Sequence, residues 1–109
     1  MNSQGAAPER TALSPEAAFD ALASKTRLRI LETLHETNDQ LSFTALREAV
    51  GIRHGAQFNY HLEQLLGHFV EKTDAGYALG EPGRHAVEIV HSGALTKRPI
   101  PRNQERAVE

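Results

Sequence analysis

The chain has no cysteine among its 109 residues, which excludes disulfide frameworks, thiolate zinc sites and cysteine nucleophiles together. Long hydrophobic runs are also missing. No stretch approaches the ~20 consecutive apolar residues of a membrane span, and residues 1–13 carry neither the basic region nor the apolar run of a secretory signal. The expected location is the cytoplasm, with no membrane partner. Positive charge is not in excess either: the formal net charge is −2, whereas nucleic-acid binding without sequence preference relies on a strongly basic surface. Any DNA footprint must therefore be local. No glycine-rich phosphate loop occurs, and His35, His54, His61 and His68 have no acid and nucleophile at recognisable spacing, so nothing supports an enzyme or a cofactor.

What is present is ordinary for one folded domain. The apolar fraction of 39% and charged fraction of 24% suit a folded protein, and 109 residues are enough for one core but not for two. Residues 1–13 are polar, Ala-rich and without pattern, and read as a flexible leader. Residues 14–92 carry the periodic segments. From Gly93 the composition shifts through Lys97-Arg98-Pro99-Ile100-Pro101-Arg102 to polar residues, and residues 93–109 read as tail or linker.

Ser14-Pro15-Glu16 combines an N-cap, a proline at the first helical position and an acid in the first turn, predicting a helix to about Leu22. Ser24 caps a second helix to about His35, with Ile30, Leu31 and Leu34 on one face. Leu41-Ser42-Phe43 suits a minor edge strand and Thr44 the next N-cap, with Leu46, Ala49 and Val50 of the third helix buried and Gly51 in the left-handed position past its end. The strongest periodicity follows. Phe58, Leu62, Leu65, Leu66 and Phe69 fall at i, i+4, i+7, i+8 and i+11, a spacing that only an α-helix keeps on one face, so a fourth helix spans roughly Gly55 to Leu66. Phe69 to Thr73 and Tyr77 to Leu79 read as strands around an Asp74-Ala75-Gly76 turn. A last helix runs from Gly80-Glu81-Pro82 to about Ser92, with Ala86, Val87 and Val90 on one stripe and Ile89 beside it.

This order is mainly α with a small β-hairpin, the plan of a winged helix-turn-helix, in which the fourth helix enters the major groove and the hairpin lies along the backbone. Residues Ala21-Leu22-Ala23-Ser24-Lys25-Thr26-Arg27-Leu28-Arg29-Ile30-Leu31 resemble the opening of the ArsR-like winged-helix repressors. Phe58-Asn59-Tyr60-His61-Leu62-Glu63-Gln64-Leu65 resembles their reading helix, and Gly67-His68-Phe69-Val70-Glu71-Lys72 with Gly76-Tyr77-Ala78-Leu79 their wing. The resemblance covers roughly residues 15–92 and is nearest to archaeal, especially haloarchaeal, members. It departs from them in two places: Gly51 to Leu62 is one residue longer than the common pattern, and the arsenic-sensing cysteine motif is absent. The resemblance implies a homodimer that binds double-stranded DNA and represses transcription.

At ~100° per residue, Phe58, Leu62, Leu65 and Leu66 face inward and Gln57, Tyr60 and Gln64 outward. The amides of Gln57 and Gln64 can read adenine and Ala56 can touch a thymine methyl, while Asn59 and His61 flank them. Arg53 before the helix and Lys72 on the wing can neutralise phosphate, with Arg47 a weaker candidate. Glu63 also lies outward, where it would repel phosphate. The alternative to a reading face is an amphipathic helix with a solvated polar side.

The apolar stripes of the first and last helices predict a dimer face of Phe19, Leu22, Ala86, Val87 and Val90, since a monomer would leave Phe19, Val87 and Val90 partly wet. His85, Glu88 and His91 recur every three residues and include zinc-ligating side chains. Steps of three drift by ~60° around a helix, so no metal site is expected and solvated or dimer-edge histidines are the simpler reading. Two rivals to the DNA-binding regulator remain, a winged helix used for protein interaction and a metal-responsive regulator.

Overall fold

The computed structural model describes residues 13–97; the leader up to residue 12 and the Arg98 to Glu109 part of the tail lie outside it. Serine caps start the first three helices. Ser14 accepts from the Ala17 N–H ahead of α1 (Pro15–Leu22), and Ser24 accepts from Arg27 N–H ahead of α2 (Lys25–Thr37). The third cap is Ser42, which accepts from Ala45 N–H and starts α3 (Phe43–Val50) two residues earlier than the Thr44 expectation. Either hydroxyl can cap. Starting at Phe43 sets its ring edge-on to Phe58, with centroids 5.1 Å apart, and so covers the core.

The expected strand at residues 41–43 is thereby reduced to a single bridge. Leu41 exchanges backbone hydrogen bonds with Tyr77 at 3.0 and 2.8 Å. Ala49, expected inside, is exposed, because α3 presents Leu46 and Val50 to the core instead. Gly51 ends the helix at φ 88°, as a left-handed C-cap requires.

The fourth helix, α4, spans Gly55–Leu65, and β1 (Val70–Thr73) pairs antiparallel with β2 (Gly76–Leu79). Leu66 lies outside the helix as its extended C-cap and is only half-buried. Thr73 pairs with Gly76, so the hairpin loop is Asp74-Ala75 and the glycine opens β2 rather than closing the turn. The last helix, α5 (Glu81–Ser92), packs against α2. Gly93 is a left-handed cap, and its carbonyl accepts from Thr96 and Lys97 in one further turn.

Ile30, Leu31 and Leu34 from α2 form the centre of the core, joined by Leu46, Phe58, Leu62, Leu65, Val70 and Val87. Together these elements are a mainly α winged helix with a small β-hairpin. Among the described residues, no helix is long and apolar enough to cross a membrane.

Candidate nucleic-acid interface

The α3–turn–α4 unit is fixed from the backbone upward. Gly51 N–H donates to the carbonyls of Arg47 and Glu48, Ile52 N–H donates to the Arg47 carbonyl, and Ile52 packs on the core. Arg47 then folds back over this turn. Its Nη1 donates to the Ile52 carbonyl at 3.0 Å and the Arg53 carbonyl at 3.1 Å. This assigns Arg47 to holding the turn rather than to standing free before a phosphate, the role its charge had suggested.

With the turn set, α4 buries Phe58, Leu62 and Leu65 completely and leaves Ala56, Gln57, Asn59, Tyr60, Glu63 and Gln64 exposed. Tyr60 is 59% exposed, a large value for an aromatic side chain. The start of α4 is also open. His54 occupies the N-cap without a side-chain hydrogen bond, and no acid lies in the first turn. The first N–H groups and the positive end of the helix dipole therefore meet solvent, where an anion is favoured. Sequence reasoning missed this, although the missing Ser, Thr, Asp or Asn before Gly55 was its signal.

His61 departs from the expected set. It is half-buried, and its Nδ1 lies 3.0 Å from Arg27 Nη1 on α2. Burial first and the Arg27 charge second hold its pKa below the ordinary histidine value. Its ring is thus engaged inside the domain, with Tyr60 edge-on to it at 5.3 Å. Arg27 was missed as well, because no local pattern marks a contact across 34 residues.

On the wing, Lys72 is exposed and its Nζ stands 5.5 Å from the centroid of its cross-strand partner Tyr77. This cation–π contact orients the ammonium without burying it. Arg53 is exposed beside the start of α4.

The matching of known families points in no chemical direction but is clear in extent. Residues 15–90 match the model described as a domain of unknown function, DUF7347. The chain belongs to the DUF7347 family. No curated protein and no solved structure matches it.

The DUF7347 domain spans both outer helices, and their shared face differs from the expected one. Val87 is only 1% exposed and belongs to the core, because α5 turns it toward α2. It leaves no surface for a partner. Phe19, by contrast, is 67% exposed and Ile89 47%. They line one apolar groove with Pro15, Leu22, Phe69 and Ala86. Val90 is half-buried. His85 and His91 diverge: His85 Nε2 lies 3.6 Å from Glu81 Oε2, whereas His91 Nε2 lies 3.6 Å from Glu32 Oε2 on α2. Among the described residues, no group of three or more His, Asp or Glu side chains is arranged to hold a metal ion.

Proposed function

We propose that this DUF7347 domain is a homodimeric, sequence-specific DNA-binding regulator that represses transcription. In this reading α4 enters the major groove and the β1–β2 hairpin rests on the backbone. The observation that carries it is the division of α4 into a fully buried apolar stripe and an exposed face bearing Gln57, Tyr60 and Gln64. Side-chain amides match the paired donor and acceptor of adenine in the major groove. The uncapped start of α4, Arg53 beside it and Lys72 on the wing supply a local cationic edge in a chain of net charge −2. The resemblance to ArsR-like repressors agrees with this assignment.

Dimerisation is favoured by the exposed Phe19 and Ile89, which two copies would cover by apposing their α1–α5 faces. Two reading helices would then address half-sites about 34 Å apart on a palindromic operator.

A salt titration of duplex binding tests the reading. Affinity for a selected operator should be measurable at low salt and fall steadily as salt rises, through release of counterions from the neutralised phosphates. Absence of duplex binding at low salt would instead favour a protein-interaction module, the alternative that the acidic net charge supports.

A further inference from the structure

Arg27 ties three helices together. Its Nε donates to the Ala21 carbonyl at 2.6 Å and its Nη2 to the Asp20 carbonyl at 3.4 Å, both in the last turn of α1. Its Nη1 meets His61 Nδ1 of α4 at 3.0 Å. A guanidinium has only donors and does not deprotonate in proteins, so Nδ1 must accept. The imidazole is then neutral, with its proton on Nε2.

We propose that Arg27 is a positioning residue for α4 and holds it only while His61 is neutral, so that protonation of His61 loosens the DNA-facing helix. The inference rests on the DNA-binding reading for its biological meaning but not for its chemistry. A protonated ring would present an N–H and a positive charge to a guanidinium at hydrogen-bond distance. Arg27 cannot retreat without abandoning the Ala21 carbonyl in the last turn of α1, its shortest contact, and the Asp20 carbonyl that it shares with the Ala23 N–H. The imidazole must yield instead, and it shares the α4 backbone with Tyr60, whose ring stands edge-on against it. The groups set against His61 are thus Arg27 from α2 and Tyr60 on α4 itself; α1 enters through backbone carbonyls, those of Asp20 and Ala21, that hold the guanidinium.

The direction with pH follows from the lowered pKa. Because the folded value lies below the unfolded value of 6.5, the folded state disfavours the proton. The associated stability is complete above the unfolded value and is lost as pH falls through the folded one.

The test uses the full chain, comparing the native sequence with His61→Asn and Arg27→Lys. Asn offers an amide oxygen in place of Nδ1 and does not titrate; Lys keeps the charge without the planar fork. Imidazole nitrogen NMR should show His61 as the Nε2–H tautomer, titrating below 6.5. Protection of α4 amides, corrected for intrinsic exchange, should drop at least about threefold below that titration in the native chain. Both variants should lack this step, and operator affinity, where DNA binds, should follow the same profile. An Nδ1–H tautomer, or the same protection step in His61→Asn, overturns the proposal. If no DNA binds at any pH, the DNA reading fails while the protection profile still decides the Arg27 assignment. If Arg27→Lys does not fold, the His61→Asn comparison decides it alone.

Discussion

Gly76 passes so close to the Leu41 carbonyl that a Cβ at position 76 would overlap its oxygen. The same residue has φ 140°, outside the range L side chains adopt comfortably. This close approach lets Leu41 and Tyr77 exchange their two backbone hydrogen bonds and anchors the wing to the start of α3. Gly76→Ala should therefore destabilise the domain by about 2 kcal/mol or more, combining backbone strain with displacement of the anchor. Gly55→Ala is the control, because a Cβ there meets nothing within 4 Å and φ is not positive. Denaturant unfolding of the two variants should separate them clearly, with Gly55→Ala close to the native midpoint.

Val87 and Phe19 make opposite predictions although both lie on outer helices. Val87 is buried in the core, so Val87→Ala should cost about 2 kcal/mol of folding stability through the cavity it leaves. It should leave the dimerisation constant unchanged when measured under folded conditions. Phe19→Ser, at an exposed position, should weaken the dimer at least tenfold, or about 1.4 kcal/mol, with little loss of monomer stability. Sedimentation equilibrium paired with unfolding curves reads both quantities. A dimer unaffected by Phe19→Ser would move the interface elsewhere.

The contrast between these residues shows how far the sequence reaches. The stripe of Phe58, Leu62 and Leu65 was readable because burial on one helix face imposes its period on the sequence. Gly51 was readable because its backbone conformation admits few residues. A period alone does not say what the stripe faces, which is why Val87 could be read as interface when α2 covers it. Ser42 and Thr44 are chemically equivalent caps, and the choice depends on where the Phe43 ring meets Phe58. The Arg27 contact with His61 joins α2 to α4 and exists only after folding. The outward amides of α4 were visible; the structure adds that His61 is half-buried against Arg27.

Gln57→Ala and Tyr60→Ala address the proposed reading face directly. Both side chains are exposed and neither belongs to the buried core, so neither variant should shift the unfolding midpoint appreciably. Each should cost about 1–3 kcal/mol on the preferred operator and much less on random duplex, which narrows the specificity ratio. Lys72→Ala should weaken both duplexes alike and reduce the salt slope by about one. Electrophoretic or fluorescence titrations on the two duplexes at several salt concentrations distinguish the patterns. Equal losses for all three variants would place the base-reading residues elsewhere.

Arg47 allows a sharper test, because two roles for one cation predict different combinations of stability loss, salt slope and rescue by lysine. As a turn clamp, it holds the Ile52 and Arg53 carbonyls through a single nitrogen and thereby fixes where α4 begins. Arg47→Ala should then cost about 1 kcal/mol of stability from the lost hydrogen bonds. It should weaken operator binding while leaving the salt slope unchanged, since no phosphate contact is removed. Arg47→Lys should rescue poorly, because the lysine ammonium ends one bond short of the position that Nη1 occupies between the two carbonyls and sits on a more flexible stem. A phosphate contact predicts the reverse: no stability loss, a slope shallower by about one, and good rescue by lysine. The salt slope of Arg47→Ala therefore decides between clamp and phosphate contact independently of how much affinity is lost.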